Sequence, residues 1–135
     1  MTAQSYNLSI GNCEASLKGK LDLKLLSMYD ELFSSLILSV RKAELPYVLD
    51  IVDLSYSNPV GVAGFAKFFL LARKFDKPIR IKGSIRHVWQ NTGMRALMKL
   101  WFKLEFIDCS VPLELNKELQ RLDREVESGK TLALS

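Results

Sequence analysis

Residues 47–75 have the sequence YVLDIVDLSYSNPVGVAGFAKFFLLARKF, in which an apolar run, a short polar turn and a long, very apolar run follow one another. The first run, 47–54, is rich in β-branched and aliphatic residues and too continuous for a half-exposed strand, so it predicts a central strand buried on both faces. Asp50 and Asp53 interrupt it near its carboxyl end, where we expect the carboxylates to accept backbone hydrogen bonds. The rest of the chain is predicted to pack around this strand and the helix after it.

The polar turn between the two runs carries the signals of a helix start. Asn58 or Ser57 offers a side-chain cap for the first free amides, and Pro59 suits the first helical position because it has no N–H to leave unpaired. The long apolar run is therefore predicted to form a helix that begins at about Pro59.

The predicted helix carries two stripes on its surface. One stripe is uniformly apolar and is expected to face the core. The second stripe consists of Val60, Gly64, Lys67, Leu71 and Lys74. It is too apolar at its N-terminal end to be only a solvated face.

The remaining segments complete an α/β pattern. Residues 6–10 and 15–23 alternate loosely around a Gly11-Asn12 turn signal and predict an edge hairpin, and residues 26–42 keep a helical period after a capping-box-like Ser27. The elements predicted after the central helix are a strand at 79–82, a helix whose inner face is Ile85, Val88 and Trp89, a short helix at 95–101 and a last strand at 103–107. Residues 91–94 are predicted to stop the first of these two helices, with Gly93 in a left-handed conformation.

These motifs, in this order, resemble a STAS domain, the fold shared by bacterial anti-sigma-factor antagonists and the cytoplasmic tails of sulfate transporters. STAS domains carry a strand similar to Leu-Asp-Leu-Ser, an Asp-Ser-Ser-Gly turn whose first serine is phosphorylated, and then an apolar helix. Residues 19–23 resemble the Gly-x-Leu-Asp segment of the family, and 92–94 resemble its Thr-Gly-Leu. The resemblance implies an α/β STAS-like single domain over residues 1–110, with a mostly parallel four- to five-stranded sheet, an edge hairpin and packed helices.

The chain departs from the family at the phosphorylation site. Counting from Leu49-Asp50 without a gap, the aspartate of the family falls on Asn58, its phosphorylated serine on Pro59, its second serine on Val60 and its glycine on Gly61. Pro59 has no hydroxyl, so phosphorylation at the family position is impossible. The nearby hydroxyls of Ser57 and Ser55 are the candidate phosphorylation sites that remain.

Length and composition favour one globular domain: 135 residues, 48% hydrophobic and 25% charged. Residues 1–5 lack a basic head followed by an apolar core, and 62–72 is too short and too charged to span a bilayer, so we expect neither a secretory signal nor a membrane span. Cys13 and Cys109 lie far apart without a CxxC pair, which favours reduced thiols and a cytoplasmic location.

The C-terminal segment is predicted to add one element beyond the domain. Residues 111–127 have leucines and a valine at helical spacing with charges between them, which predicts an amphipathic helix that docks on its own domain or forms a homodimer. Residues 128–135 are predicted to be a disordered tail.

Charge is concentrated in the middle of the chain. Residues 66–103 contain ten Lys or Arg and one acid, Asp76, a net of +9, so the rest of this +4 chain sums to −5. The basic segment could face an acidic protein, a phospholipid surface or nucleic acid. Nucleic-acid binding is not expected, because the aromatic residues follow core-like helical spacing and no nucleic-acid motif is present.

The sequence offers few parts for catalysis. His87 is the only histidine, which excludes a metal site built on several imidazoles, and a surface or half-buried structural role is expected for it. No Walker A sequence is present, and Gly61 and Gly64 lack the spacing of a dinucleotide fingerprint. We therefore expect a non-enzymatic protein without a metal or cofactor.

The resemblance implies a regulatory protein-binding module of a bacterial cytoplasm, working in signal transduction with an anti-sigma factor, kinase or phosphatase as partner. The alternative is a STAS-like structural subunit of a lipid-trafficking ABC transporter, with the transporter ATPase as partner. A weaker alternative is a binder of a small anion or nucleotide at the N-terminus of the central helix. The expected partner-binding residues are Ser57, Asn58, Pro59, Val60, Gly61, Gly64, Lys67 and Leu71.

Overall fold

Six strands form one sheet in the computed structural model, which describes residues 5–44 and 46–110. The strands are β1 (Tyr6–Ile10), β2 (Glu14–Leu21), β3 (Tyr47–Asp50), β4 (Leu54–Ser57), β5 (Ile79–Gly83) and β6 (Leu104–Asp108). β1 and β2 pair antiparallel as the predicted edge hairpin, and the other pairs are parallel in the order β2-β3-β5-β6. The α/β class and the mostly parallel sheet are confirmed, with six strands where four or five were expected.

The extra strand arises because the predicted central strand at 47–54 already ends at Asp50, and a further strand, β4, forms at Leu54–Ser57. Residues 55–57 were predicted as part of the polar turn, and that prediction is wrong. β3 pairs with the first part of β2, and β4 pairs with the second part after a shift of register at Gly19 and Lys20. Between them the chain turns, with the Leu54 N–H donating to the Ile51 carbonyl at 3.0 Å. Asp50 accepts the Val52 N–H at 3.0 Å, which confirms the role expected for that carboxylate.

Three helical segments accompany the sheet. A 3₁₀ turn, Leu26–Tyr29, leads into α1 (Asp30–Lys42), and α2 spans Pro59–Lys74. The third segment is continuous: a π-helical turn at Gln90–Met94, an α-helical turn at Arg95–Leu97 and a 3₁₀ turn at Met98–Leu100. Ser27 makes no capping hydrogen bond, so the expected capping box is absent from this start.

The stop predicted at residues 91–94 is wrong, because the chain continues there as a wider π-helical turn. Gly93 has no left-handed conformation, and the Thr92 hydroxyl donates to the Val88 carbonyl at 2.9 Å within the helix. Only Trp89 of the expected inner face is buried, whereas Ile85 and Val88 are exposed. The amphipathic helix predicted for residues 111–127 and the disordered tail predicted for 128–135 lie outside the described residues.

One face of the sheet carries the core. The inward side chains of the strands pack with those of α1, α2 and the third segment in a single apolar cluster. On the other face, Val48 and Asp50 of β3 are half-exposed, and β5 turns Arg80 and Lys82 to solvent. The expectation that the central strand is buried on both faces is therefore wrong, because the described helices pack against one side only.

A buried glutamine completes the hydrogen bonding at the break in the central strand. Gln90 is fully buried, and its Nε2 donates to the carbonyls of Ile51 at 2.7 Å and Leu54 at 3.0 Å. Its Oε1 accepts the Ser84 N–H at 2.8 Å. Trp89 Nε1 donates a further hydrogen bond to the Leu54 carbonyl at 2.8 Å. The side chains of Trp89 and Gln90 thus supply donors to carbonyls at the break in the strand, where a neighbouring strand would otherwise donate.

We predict that Gln90→Leu destabilises the fold by about 2 kcal/mol, because an apolar side chain of similar size leaves the Ser84 N–H without a partner and takes one hydrogen bond each from the Ile51 and Leu54 carbonyls. Asn91→Ala, at the next and exposed position, should change the free energy of unfolding by about 0.5 kcal/mol or less. Urea denaturation followed by circular dichroism measures both. Equal stability of the two variants would contradict the structural role of Gln90.

Candidate functional site

Asn58 links the start of α2 to the loop before α1. Its Oδ1 accepts the Gly61 N–H at 2.8 Å, which confirms the predicted helix cap, and its Nδ2 donates to the Leu23 carbonyl at 2.7 Å. The Tyr29 hydroxyl donates to the same Oδ1 at 3.3 Å and accepts the Leu23 N–H at 2.7 Å. Burial raises the pKa of Tyr29 above its ordinary value, so the hydroxyl stays protonated and keeps donating. The network fixes the loop against the helix start.

Ser57 and Gly61 lie beneath this network, in the interior. Ser57 is 5% exposed, and its hydroxyl donates to the Asn58 carbonyl at 3.1 Å. A side chain at Gly61 would overlap the Ser57 Oγ, so the close approach of strand and helix requires glycine there. Ser55 is exposed, with its hydroxyl 3.2 Å from the Gly19 carbonyl. Of the two candidate phosphorylation sites, Ser55 is the one that solvent reaches.

Gly64 lies where α1 and α2 cross. It is buried, and a Cβ atom added to it would overlap the ring of Phe33 on α1. The small residues at 61 and 64 were expected to let a partner approach closely. The structure instead gives the space beside these glycines to Ser57 and Phe33 of the chain itself, and both glycines are buried.

A groove of about 180 Å³ runs beside this crossing, between α1 and α2, and we call it the helix-pair groove. Its lining consists of Leu26, Asp30, Phe33, Ser34, Ile37, Gly64, Lys67, Phe68 and Leu71. The aromatic rings form its floor, with Phe33 5.2 Å from Phe65 and 6.3 Å from Phe68 between ring centroids. Charged Lys67 and Asp30 are exposed at its rim, so the groove combines an apolar floor with charges of both signs.

The helix-pair groove brings together part of the predicted contact set. Lys67 and Leu71 line it, with Gly64 at its base, whereas Pro59 and Val60 lie one turn earlier on α2 and outside the lining. Pro59 is exposed and Val60 half-buried. Lys67 and Leu71, which the sequence placed on one stripe of α2, therefore lie side by side in the groove.

Sequence reasoning missed the apolar residues that extend the groove toward the Asn58 network. Leu25 is 59% exposed, Met28 53% and Leu26 39%, all in the short segment that leads into α1. The signal was present in the run Leu25-Leu26-Ser27-Met28, which is apolar but precedes the regular helix. Clustered exposed apolar side chains of this kind are typical of protein-binding surfaces.

Metal-ligating side chains do not cluster in the part of the chain that the structure describes. Residues 5–44 and 46–110 contain no group of three His, Cys, Asp or Glu placed to hold a metal ion. His87 is half-buried and its Nε2 lies 2.9 Å from the Val52 carbonyl, as expected of a structural histidine. A larger cleft of about 650 Å³ between the β1–β2 turn and α1 contains Cys13, which like Cys109 is a free thiol.

Comparisons with known proteins leave the family open. No protein-family model matches this chain, and no curated protein matches it. In the part of the chain that the structure describes, every helix is too short or too polar to cross a bilayer.

We predict that Asn58→Asp lowers the free energy of unfolding by about 1–2 kcal/mol, although aspartate is the residue of the STAS turn. The carboxylate keeps the cap to Gly61 but places an acceptor against the Leu23 carbonyl, where the amide donated. The gain of a negative charge at a helix N-terminus, about 0.3–1 kcal/mol, offsets only part of this loss. Asn12→Asp in the exposed β1–β2 turn is the control. A urea midpoint for Asn58→Asp at or above that of the wild type would refute the network.

We also predict that Gly64→Val destabilises the protein by about 2 kcal/mol more than Ala63→Val. Both changes introduce valine at neighbouring positions of α2. Helix propensity alone would disfavour Ala63→Val by about 0.5 kcal/mol and slightly favour Gly64→Val, so it works against the predicted difference. Residue 63 is exposed, whereas the side chain at 64 must displace the Phe33 ring. Thermal and urea unfolding give the difference, and equal values would mean that α1 moves away at no cost.

Proposed function

We propose that this chain is a non-enzymatic, STAS-like protein-binding module of a bacterial cytoplasm that holds its partner in the helix-pair groove. The observation that carries the proposal is an apolar groove with a charged rim, continued by the exposed residues Leu25 and Met28. The mostly parallel sheet and the capped turn in front of α2 are compatible with the STAS resemblance of the sequence. Any catalytic step in the complex would be carried out by the partner.

The groove suits an apolar side chain or the apolar face of a helix from another protein. Phe33, Ile37 and Phe68 would bury that face, and most of the binding free energy would come from water released there. Lys67 and Asp30 at the rim would fix the orientation by pairing with charges of opposite sign on the partner.

Binding by this module would not be switched at the position used in the STAS family. Pro59 has no hydroxyl, and Ser57 is buried beneath the helix start. In a signalling role, with an anti-sigma factor, kinase or phosphatase as partner, the chain would therefore stay in one binding state unless Ser55 is modified. The absence of a hydroxyl at 59 equally favours the alternative role, a structural subunit of a lipid-trafficking ABC transporter bound to its ATPase.

A small anion or nucleotide at the start of α2 has less support. Pro59 offers no N–H, the Gly61 N–H is bonded to the Asn58 side chain, and the Val62 N–H donates to the Asn58 carbonyl at 3.1 Å. Much of the donor capacity that an anion would need is already used within the chain.

Affinity purification from the native cells, without and then with detergent, tests the proposal. We expect Lys67→Glu and Leu26→Ser to lower recovery of the partner about tenfold, the effect of losing about 1.4 kcal/mol of binding free energy. Lys18→Glu and Val88→Ser make the same chemical changes at exposed positions outside the groove and should bind as the wild type does.

The identity of the recovered protein separates the two roles. A small soluble kinase-like or sigma-related protein would support the signalling role, and an ABC ATPase recovered only from membranes would support the transporter role. A partner retained equally by the groove variants and their controls would remove the helix-pair groove as the binding site. Intact-mass analysis of the bait reports whether Ser55 carries a phosphate.

A further inference from the structure

Phe102 is the most exposed large apolar residue among those the structure describes, with 86% of its surface in solvent. It lies between the third helical segment and β6, at the edge of the sheet where the parallel strands β3, β5 and β6 begin. The Asn58 turn lies at the opposite edge, where the parallel strands end. A single phenylalanine projecting this far is neither part of the core nor part of the helix-pair groove.

One cation lies against this ring, and two more lie at the ends of the neighbouring helices. Lys103 Nζ lies 5.8 Å from the ring centroids of both Phe102 and Trp101, and Arg73 Nη1 donates to the Leu100 carbonyl at 3.2 Å. At the neighbouring end of α1, the Arg41 guanidinium lies 4.5 Å above the ring of Phe75. We call this surface the amino-edge face and define it by Arg41, Arg73, Phe75, Lys99, Phe102 and Lys103.

The charge of the amino-edge face is positive. Asp76, the one acid within residues 66–103, is paired with Lys103 Nζ at 2.8 Å. Arg41 and Arg73 lie in the last turns of α1 and α2, where a cation also complements the helix dipole. The helix dipole does not account for Lys103 or for the exposed ring of Phe102, because both residues lie outside the two helices.

We propose that the amino-edge face binds the surface of an anionic phospholipid bilayer. Basic side chains would lie among the headgroups, and Phe102 would enter the interface between headgroups and acyl chains. A projecting aromatic ring beside a second ring, Trp101, suits this interface. Single-stranded nucleic acid would instead require a groove with successive stacking rings, and Phe75 is already covered by Arg41.

This inference does not depend on the proposed protein partner. The helix-pair groove opens between α1 and α2, whereas the amino-edge face is formed by the ends of these helices and the loops before β5 and β6. The two surfaces share none of their defining residues, so one chain could hold a protein and a membrane together. Each surface can fail its test while the other passes.

Vesicle flotation of the full chain tests the proposal. One set of vesicles contains phosphatidylcholine alone, and the other contains equal parts of phosphatidylcholine and phosphatidylglycerol. We expect the protein to float with the anionic vesicles at low salt, to be released as salt is raised, and to stay in solution with the neutral vesicles. An absence of binding to the anionic vesicles, or equal binding to both kinds, overturns the proposal.

Matched variants locate the binding surface. Lys99→Gln should lower the partition coefficient about fivefold, the effect of one basic residue near an anionic surface, and Phe102→Ser should lower it severalfold. Lys18→Gln and Val88→Ser are the controls, each exposed and outside the amino-edge face. Because Phe102 and Lys99 are exposed, their variants should keep the unfolding midpoint of the wild type.

Equal binding by Phe102→Ser, Lys99→Gln and the wild type would overturn the proposal. So would salt-dependent binding to a duplex oligonucleotide or to an oligonucleotide single strand without binding to vesicles, because the face would then belong to nucleic acid.

Discussion

The fold depends on how the chain satisfies backbone hydrogen bonds where its central strand breaks. At Ile51 the chain leaves the sheet, and it re-enters at Leu54 beside a different part of β2. Gln90 and Trp89 bond the carbonyls that this break frees, in a site from which water is excluded. The break sets the direction of β4, and β4 in turn places Asn58 at the start of α2, so the geometry of the candidate site begins with one carboxamide in the core.

Local signals predicted much of the fold. The cap at Asn58, the helix start at Pro59 and the hairpin of β1 and β2 each follow from a few neighbouring residues, and the structure confirms them. The break in the central strand has only a weak local signal, Asp50, whose carboxylate accepts the Val52 N–H in the turn, because the rest of residues 47–54 is apolar except for Asp53. Its stabilising partner, Gln90, is 39 residues from Ile51 and 36 from Leu54. Periodicity reports which residues share a face, but it does not report which distant side chain completes a turn.

The candidate site shows the same limit. Lys67 and Leu71 were placed on one stripe of α2, and both line the helix-pair groove. The stripe could not show that α1 covers part of it, where the missing side chain of Gly64 makes room for Phe33. Leu25 and Met28 were overlooked because they precede the regular helix. Contacts between helices decide what remains exposed, and those contacts are set by tertiary packing.

The distance along the chain between Gln90 and the break has a consequence for the order of folding. While the protein is being synthesised, both long helices and the first five strands leave the ribosome before residue 90 does. Until then the Leu54 carbonyl lacks the side chains that bond it, the Ile51 carbonyl has only the Leu54 N–H of its own turn, and the inner surface of β3 is incompletely covered. Closing a loop of this length is a late, non-local step. The nascent chain therefore passes through a stage in which its most apolar strand is accessible to chaperones and to other unfinished chains.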